Sequence, residues 1–106
     1  MKAIELTSEN FDSTINESTL PVLVDFHAQW CGPCKMLSPV IEQIAEEQEG
    51  SAIVAKVDID QAKDIAQRFG VSSIPTLMVF KDGEAVANVL GMQTKAALEG
   101  MLEKAK

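Results

Sequence analysis

The sequence of 106 residues predicts an α/β fold in which a single mixed β-sheet is covered by helices on both faces. Apolar runs rich in β-branched residues alternate with segments of helical periodicity. An Asp-Gly pair at positions 82–83 predicts an antiparallel hairpin after these alternating segments. Hydrophobic residues make up 46% of the chain and charged residues 24%, as in globular domains. Since no linker or internal repeat divides the sequence, we expect one domain over residues 1–106.

The first predicted elements are a short strand, a helix and a long strand. Residues 3–6 are typical of an edge strand, and Ser8 is the predicted N-cap of a helix that ends near Ser18. Residues 22–28 are apolar on both faces and β-branched. This pattern predicts a central strand that is covered on both sides.

A second helix follows Pro33, because the apolar residues from 36 to 45 recur at helical spacing up to Gly50. Pro39 lies inside this helix and is predicted to kink it. The remaining predicted elements are a buried strand over 53–59, a helix capped by Asp60 and ended by Gly70, a strand over 76–80, its hairpin partner over 84–90, and a last helix beginning at Thr94.

The charge balance bears on the choice of partners. Nine Lys and Arg against sixteen Asp and Glu give a net charge of −7. Nucleic acids and anionic membranes need a positive patch, so neither is an expected partner. The first residues lack the apolar stretch of about 7–15 residues that a secretory signal needs. We therefore expect a soluble, cytoplasmic protein, although a processed mature protein would have the same kind of N-terminus. We also expect a monomer.

The two cysteines, Cys31 and Cys34, lie where the central strand ends and the second helix begins. A disulfide between them would close a very short loop and stabilise the fold by only about 2 kcal/mol, so a purely structural role explains them poorly. Residues three apart on a helix have Cβ atoms about 5–6 Å apart, farther than a disulfide prefers. The spacing therefore predicts a disulfide that forms and opens reversibly.

The two sulfurs are predicted to differ in reactivity. Cys31 falls at or just before the helix N-terminus, where free backbone N–H groups and the helix dipole favour a thiolate. Cys34 lies one turn deeper, flanked by Met36 and Leu37, and is expected to be a shielded neutral thiol. Pro33 suits the first turn because it has no N–H to leave unsatisfied. Cys31 is thus the predicted nucleophile and Cys34 the resolving group.

The same Cys-x-x-Cys spacing also occurs in zinc sites. Zinc normally takes four ligands, and this chain has no third cysteine and only one histidine, His27. An intramolecular zinc site would have to recruit carboxylates, so no metal is expected.

Residues 24–35, with the sequence V-D-F-H-A-Q-W-C-G-P-C-K, closely resemble the thioredoxin family, as do I-P-T at 74–76 and D-G at 82–83. The resemblance extends over essentially the whole chain. It implies the thioredoxin fold, with element order βαβαβαββα, and a protein-disulfide reductase with no cofactor besides a redox-active Cys31–Cys34 disulfide. Cys31 would attack a client disulfide to form a mixed disulfide, and Cys34 would resolve it.

Asp25 matches the carboxylate that the family buries beneath the cysteines. Its position in a doubly apolar strand favours a raised pKa, which suits a proton acceptor for Cys34. The alternative is an ordinary strand-end aspartate that faces water. Lys56 matches a family lysine near that carboxylate and is a possible modulator of proton transfer, although it could equally be a surface lysine.

An apolar client-binding surface is also implied by the resemblance. X-Pro bonds are ordinarily trans, but the family places a cis-proline at Pro75, where the backbone of Ile74 could pair with an extended client segment. Ile59 and Met92 could instead be plain core residues. The implied surface comprises Trp30, Gly32, Pro33, Ile59, Ile74, Pro75, Gly91 and Met92.

His27 departs from the family pattern, which usually has an aromatic residue, often Trp, at this position. One interpretation is a half-buried, hydrogen-bonded histidine. The other is that His27 perturbs the titration of Cys31 or Asp25, because histidine ordinarily changes charge near neutral pH.

Two other functions remain as alternatives. An oxidase or isomerase of the same fold would need a stabilised Cys31 thiolate, and Gly32-Pro33 contains no cation to stabilise it. A binding module that acts regardless of thiol state would not need the cysteines at all. For the reductase, the resemblance implies recycling by a thioredoxin reductase, an NADPH-dependent flavoprotein on another chain, since no nucleotide-binding fingerprint occurs here.

Overall fold

The computed structural model describes residues 3–106. The strands and helices follow one another in the predicted order, which is confirmed. They are β1 (Ile4–Leu6), α1 (Phe11–Glu17), β2 (Val22–His27), α2 (Gly32–Glu47), β3 (Ile53–Asp58), α3 (Lys63–Arg68), β4 (Thr76–Lys81), β5 (Glu84–Leu90) and α4 (Lys95–Ala105).

The five strands form one mixed sheet in the order β1-β3-β2-β4-β5. The β1–β3 and β3–β2 pairs are parallel, whereas β2–β4 and β4–β5 are antiparallel. β2 is therefore the central strand and β1 an edge strand, as predicted. This arrangement brings the carboxyl ends of β1, β2 and β3 to one edge of the sheet, where α2 begins.

Apolar layers cover both faces of the sheet. The aromatic layer contains Phe11 of α1, Phe26 of β2 and Phe80 of β4. The opposite layer joins Leu23 of β2 to residues of α2 and α4, including Leu37. Successive strand residues alternate between faces, so β2 is buried on both sides and Asp25 shares the α2 face with Leu23.

Helix α2 begins immediately after Cys31, which is its N-cap, and Pro33 occupies its first turn. The helix continues through Pro39 to Glu47. Cys34 is buried as expected, and so is Leu37, but Met36 is 72% exposed although it belongs to the apolar run that predicts the helix.

The predicted N-cap of α1 is also wrong. The N-cap is Asn10 rather than Ser8, whose hydroxyl instead donates to Asp64 of α3 at 2.5 Å. The Asn10 side chain accepts from the backbone N–H of Thr7 at 2.7 Å and so fixes the turn that precedes the helix.

The sequence pattern predicts Asp60 as the N-cap of α3, and this prediction is wrong. The N-cap is Ala62, and the turn before it is held by Asp58, whose Oδ1 accepts from the backbone N–H groups of Asp60 at 2.9 Å and Gln61 at 3.4 Å. A carboxylate that accepts backbone N–H groups two and three residues later forms an Asx-type turn, so Asp58 fixes the turn that precedes α3, and α3 itself has no side-chain cap.

The β4–β5 hairpin turns at Asp82 and Gly83, whose φ angles are 55° and 83°. Two successive positive φ values are those of a type I′ turn, as the Asp-Gly pair predicts. The predicted start of α4 is confirmed as well, because the Thr94 side chain accepts from the N–H of Ala97 at 3.1 Å. Within residues 3–106, none of the helices is both long and apolar enough to cross a membrane.

Candidate active site

Cys31 and Cys34 are joined by a disulfide at the N-terminus of α2, with their Cα atoms 5.3 Å apart. Cys31 Sγ accepts a hydrogen bond from the backbone N–H of Cys34 at 3.2 Å, so a sulfur does what a capping oxygen usually does. Both residues are buried, with exposures of 5% and 4%, among Ala28, Ile59 and Ile74. The two cysteines differ in their position on the helix rather than in their overall exposure.

Asp25 lies in β2 on the sheet face that α2 covers, and it is only 1% exposed. Neither of its carboxylate oxygens has a hydrogen-bond partner among residues 3–106. Burial raises the pKa of Asp25 from an ordinary value of 3.8 to about 6, although the charges of His27 and Lys56 oppose the rise. The strand-end alternative, an aspartate facing water, is therefore wrong.

Lys56 of β3 is the direct register neighbour of Asp25. Its ammonium donates to Ser38 Oγ of α2 at 3.1 Å and is half-buried. Ser38 follows Cys34 by one helical turn, so both lie on the side of α2 that faces β3. This contact ties the lysine beside Asp25 to the helix that carries the cysteines, and nothing in the sequence pattern singled out Ser38.

His27 ends β2, two residues after Asp25 on the same face. Its side chain is 15% exposed, and its Nε2 lies 3.5 Å from Glu5 Oε2 of the edge strand. A cleft of about 260 Å³ is lined by His27 together with Cys34, Lys56 and their neighbours on α2. The half-buried position expected for His27 is confirmed, with a carboxylate as its partner.

The expected client surface is partly buried against the disulfide and partly exposed to solvent. Ile59 and Ile74 are half-buried and pack against the cysteines. The Ile74–Pro75 peptide bond is cis, and the Pro75 carbonyl accepts from the N–H of Gly91 at 2.8 Å. The solvent-exposed members of the set are Trp30, Gly32, Pro33 and Met92.

Trp30 is 68% exposed, and its indole N–H donates to Asp60 Oδ2 at 2.8 Å. The two residues are 30 positions apart, so no local pattern in the sequence could have paired them. The carboxylate holds one edge of the ring and leaves its apolar face open. Within residues 3–106, no group of three or more His, Cys, Asp or Glu side chains is arranged to hold a metal ion.

A helix-capping cysteine bonded to a second cysteine, on a mixed sheet with a buried carboxylate in the adjoining strand, defines a thiol–disulfide oxidoreductase. The thioredoxin family profile matches residues 2–104. The chain therefore belongs to the thioredoxin family, and it is a dithiol–disulfide reductase.

Similar proteins cover nearly the whole chain. Thioredoxin of Porphyra purpurea is 48% identical over 104 residues, which is 98% of this chain and 97% of the relative. Thioredoxin 1 of a Nostoc species is 45% identical over 102 residues, covering 96% and 95%. Thioredoxin of Staphylococcus saprophyticus is 47% identical over 104 residues, covering 98% of both. The family acts on disulfide substrates and depends on a reductase for recycling.

Proposed function

We propose that Cys31 is the nucleophile and Cys34 the resolving group of this reductase. The observation that carries this assignment is the hydrogen bond from the N–H of Cys34 to Cys31 Sγ at the N-terminus of α2. A helix N-terminus stabilises negative charge, so the reduced Cys31 is the sulfur favoured as thiolate. Cys34 lies inside the first turn and stays a protonated thiol until the mixed disulfide has formed.

The reaction has two exchange steps. The Cys31 thiolate attacks one sulfur of the client disulfide, the client S–S bond breaks, and the released client thiolate takes a proton from solvent. Cys34 then loses its proton and attacks Cys31 Sγ, which releases the second client sulfur. Two electrons pass to the client, and the protein is left with the Cys31–Cys34 disulfide.

Asp25 is the proposed acceptor of the Cys34 proton. Its burial on the α2 face and its pKa of about 6 support this role, because a general base works best when its pKa lies near the working pH. Lys56 is the proposed modulator. Its charge stabilises the carboxylate form of Asp25 without bonding to it, since its ammonium donates to Ser38.

The proposed client surface is the apolar ring around the disulfide. The exposed Trp30 and Met92 support it, because large apolar side chains in water are typical of protein contact sites. An extended client segment would pair with the backbone of Ile74, as in strand addition. The remaining members are Gly32, Pro33, Ile59, Pro75 and Gly91.

The proposed setting follows from the same chemistry. The redox centre is the cysteine pair itself, with no bound cofactor, and its reducing electrons come from an NADPH-dependent flavoprotein reductase. The protein acts as a monomer in the cytoplasm, where reduced thiols persist. Its net charge of −7 supports protein clients rather than nucleic acid or membrane.

Trapping of the mixed disulfide tests the proposed roles. In the Cys34→Ser variant, Cys31 can attack a client but nothing resolves the product, so a covalent complex with reducible insulin should accumulate. The Cys31→Ser variant is the matched control and should form no such complex. Accumulation in Cys31→Ser instead, or equally in both, would reverse or remove the assignment.

A further inference from the structure

Four titratable side chains lie together on the α2 face of the sheet, from the edge strand to β2. Glu5, Lys56 and Asp25 occupy one register row across β1, β3 and β2. His27 lies two residues beyond Asp25 on the same strand and contacts Glu5. The group therefore extends from a half-exposed carboxylate on the sheet edge to a buried carboxylate under α2.

His27 adjoins Cys34 on one side and reaches solvent on the other. It lines the cleft that also contains Cys34 and Lys56, and its ring meets Glu5 at the surface. Histidine is the side chain that ordinarily changes charge between pH 5 and 8. A change in the charge of His27 changes the electrostatic energy of the Asp25 carboxylate, since residues two apart on a strand are only about 6.6 Å apart.

Several charged residues on the neighbouring elements have partners of their own. Lys56 donates to Ser38, and Asp58, the register neighbour of His27, holds the turn before α3. On α2, Glu42 accepts from the backbone N–H of Ala3 at 3.1 Å. The titratable groups that adjoin the pair are Glu5 on β1, Lys56 and Asp58 on β3, and Cys34 and Lys35 on α2.

We propose that His27, held by Glu5, is a positioning residue for the proton transfer: its positive charge keeps Asp25 in the carboxylate form that receives the Cys34 proton. Glu5 acts through His27, because its Oε2 lies 3.5 Å from the imidazole Nε2. The inference rests on the proposed role of Asp25 as proton acceptor. It extends that role by coupling the buried base to a charge pair at the surface.

The direct test is the titration of the Asp25 carboxyl carbon by NMR in the reduced protein. His27→Gln removes the charge and should raise the Asp25 midpoint by about 0.5 to 1.5 pH units. His27→Lys keeps a positive charge and should leave the midpoint at or below that of the parent protein. A structural role for the ring would move both variants alike. Any order other than Gln above parent and Lys at or below parent overturns the proposal.

A second measurement tests whether Glu5 acts through His27. In the His27→Gln background, Glu5→Gln removes only a direct repulsion and should lower the Asp25 midpoint. In the parent background it also removes the partner of the His27 ring, through which Glu5 is proposed to act, so the fall should be smaller or reversed. Equal shifts in the two backgrounds contradict the coupling. Glu84→Gln on β5, with the same change in charge, is the matched control and should shift nothing.

Separate measurements test the role of His27 and the role of Asp25. The Asp25 midpoint measured by NMR reports on His27 and Glu5 whether or not Asp25 is the catalytic base. The pH profile of kcat/KM in Asp25→Asn reports on the proposed base alone, and it should lose the ionisation that the parent protein shows. If that profile stays unchanged, the proposed base is wrong even where the NMR shifts follow the expected order.

Discussion

Lys56 lies beside Asp25 in the register of β2 and β3, yet its ammonium donates to Ser38 and the buried carboxylate has no hydrogen-bond partner within residues 3–106. A direct ion pair would stabilise the Asp25 carboxylate and lower its pKa. Because Lys56 donates to Ser38 instead, burial has the largest effect on the pKa of Asp25, which rises to about 6. The fold thus gives a carboxyl group that is buried on the α2 face of the sheet a pKa near neutral.

The first prediction concerns stability. The pKa of Asp25 is about 6 in the folded protein, against an ordinary value of 3.8. As the pH rises, the unfolded chain therefore releases this proton at a lower pH than the folded protein does. The favourable contribution of protonated Asp25 is complete below about pH 4 and is lost as the pH rises through 6. Relative to the parent protein, Asp25→Asn should therefore gain up to about 3 kcal/mol between pH 4 and 7. Denaturant unfolding of the oxidised proteins measures it, and a constant difference across this range would contradict it.

A second prediction separates a modulating Lys56 from an ordinary surface lysine. Lys56→Met removes a charge that favours the Asp25 carboxylate, so the Asp25 titration midpoint should rise by about half a unit to one unit. Carboxyl NMR of the reduced protein measures the shift. Lys104→Met, on the exposed side of α4, makes the same change in charge far from the site and should have no effect. Identical midpoints in both variants would show that Lys56 does not act on Asp25.

The third prediction concerns the orientation of Trp30. Asp60→Ala removes the acceptor of the indole N–H, which frees the ring. We expect KM for a protein disulfide to rise about 2–10-fold, corresponding to one hydrogen bond, while reduction of a small aromatic disulfide is unchanged. Asp64→Ala is the control, since this exposed aspartate contacts Ser8 instead. An equal effect of both substitutions would indicate a general charge effect.

Two glycines provide a paired test of the fold. Gly83 has φ +83°, and a Cβ there would lie 2.7 Å from Asn16 Oδ1, so Gly83→Ala should lower the free energy of unfolding by about 1–2 kcal/mol. Gly100 lies in α4 with open space around it. Gly100→Ala should raise the same free energy by about 0.5–1 kcal/mol, because alanine favours the helix. Shifts of the same sign in thermal unfolding would contradict this account.

The order of the elements could be predicted because hydrophobic periodicity is a local signal. The doubly apolar strand at 22–28 and the Asp-Gly turn each carry their structure in a few consecutive residues. The position of Cys31 at the start of α2 was predictable for the same reason, since Pro33 belongs in a first turn.

The features that were not predicted are of two kinds. In some, two nearby residues suit the same position equally well, and in others the contact joins residues that are far apart in the sequence. Ser8 and Asn10 are both residue types that favour the N-cap position. The Ser8 hydroxyl is bonded to Asp64, and Asn10 is the N-cap of α1. Met36 lies on the margin of the apolar stripe of α2, one turn before half-buried Val40, so periodicity alone could not show that it faces solvent. The Trp30–Asp60 hydrogen bond joins segments that meet only in the folded protein.

The most direct test of the central claim is the order in which the two thiols react. The reduced protein is treated at neutral pH with limiting iodoacetamide, and the modified peptide is identified by mass spectrometry. Because Cys31 caps α2 and Cys34 lies within its first turn, the account predicts that Cys31 is labelled well before Cys34. Labelling of Cys34 first, or of both at the same rate, would contradict the assignment of nucleophile and resolving group.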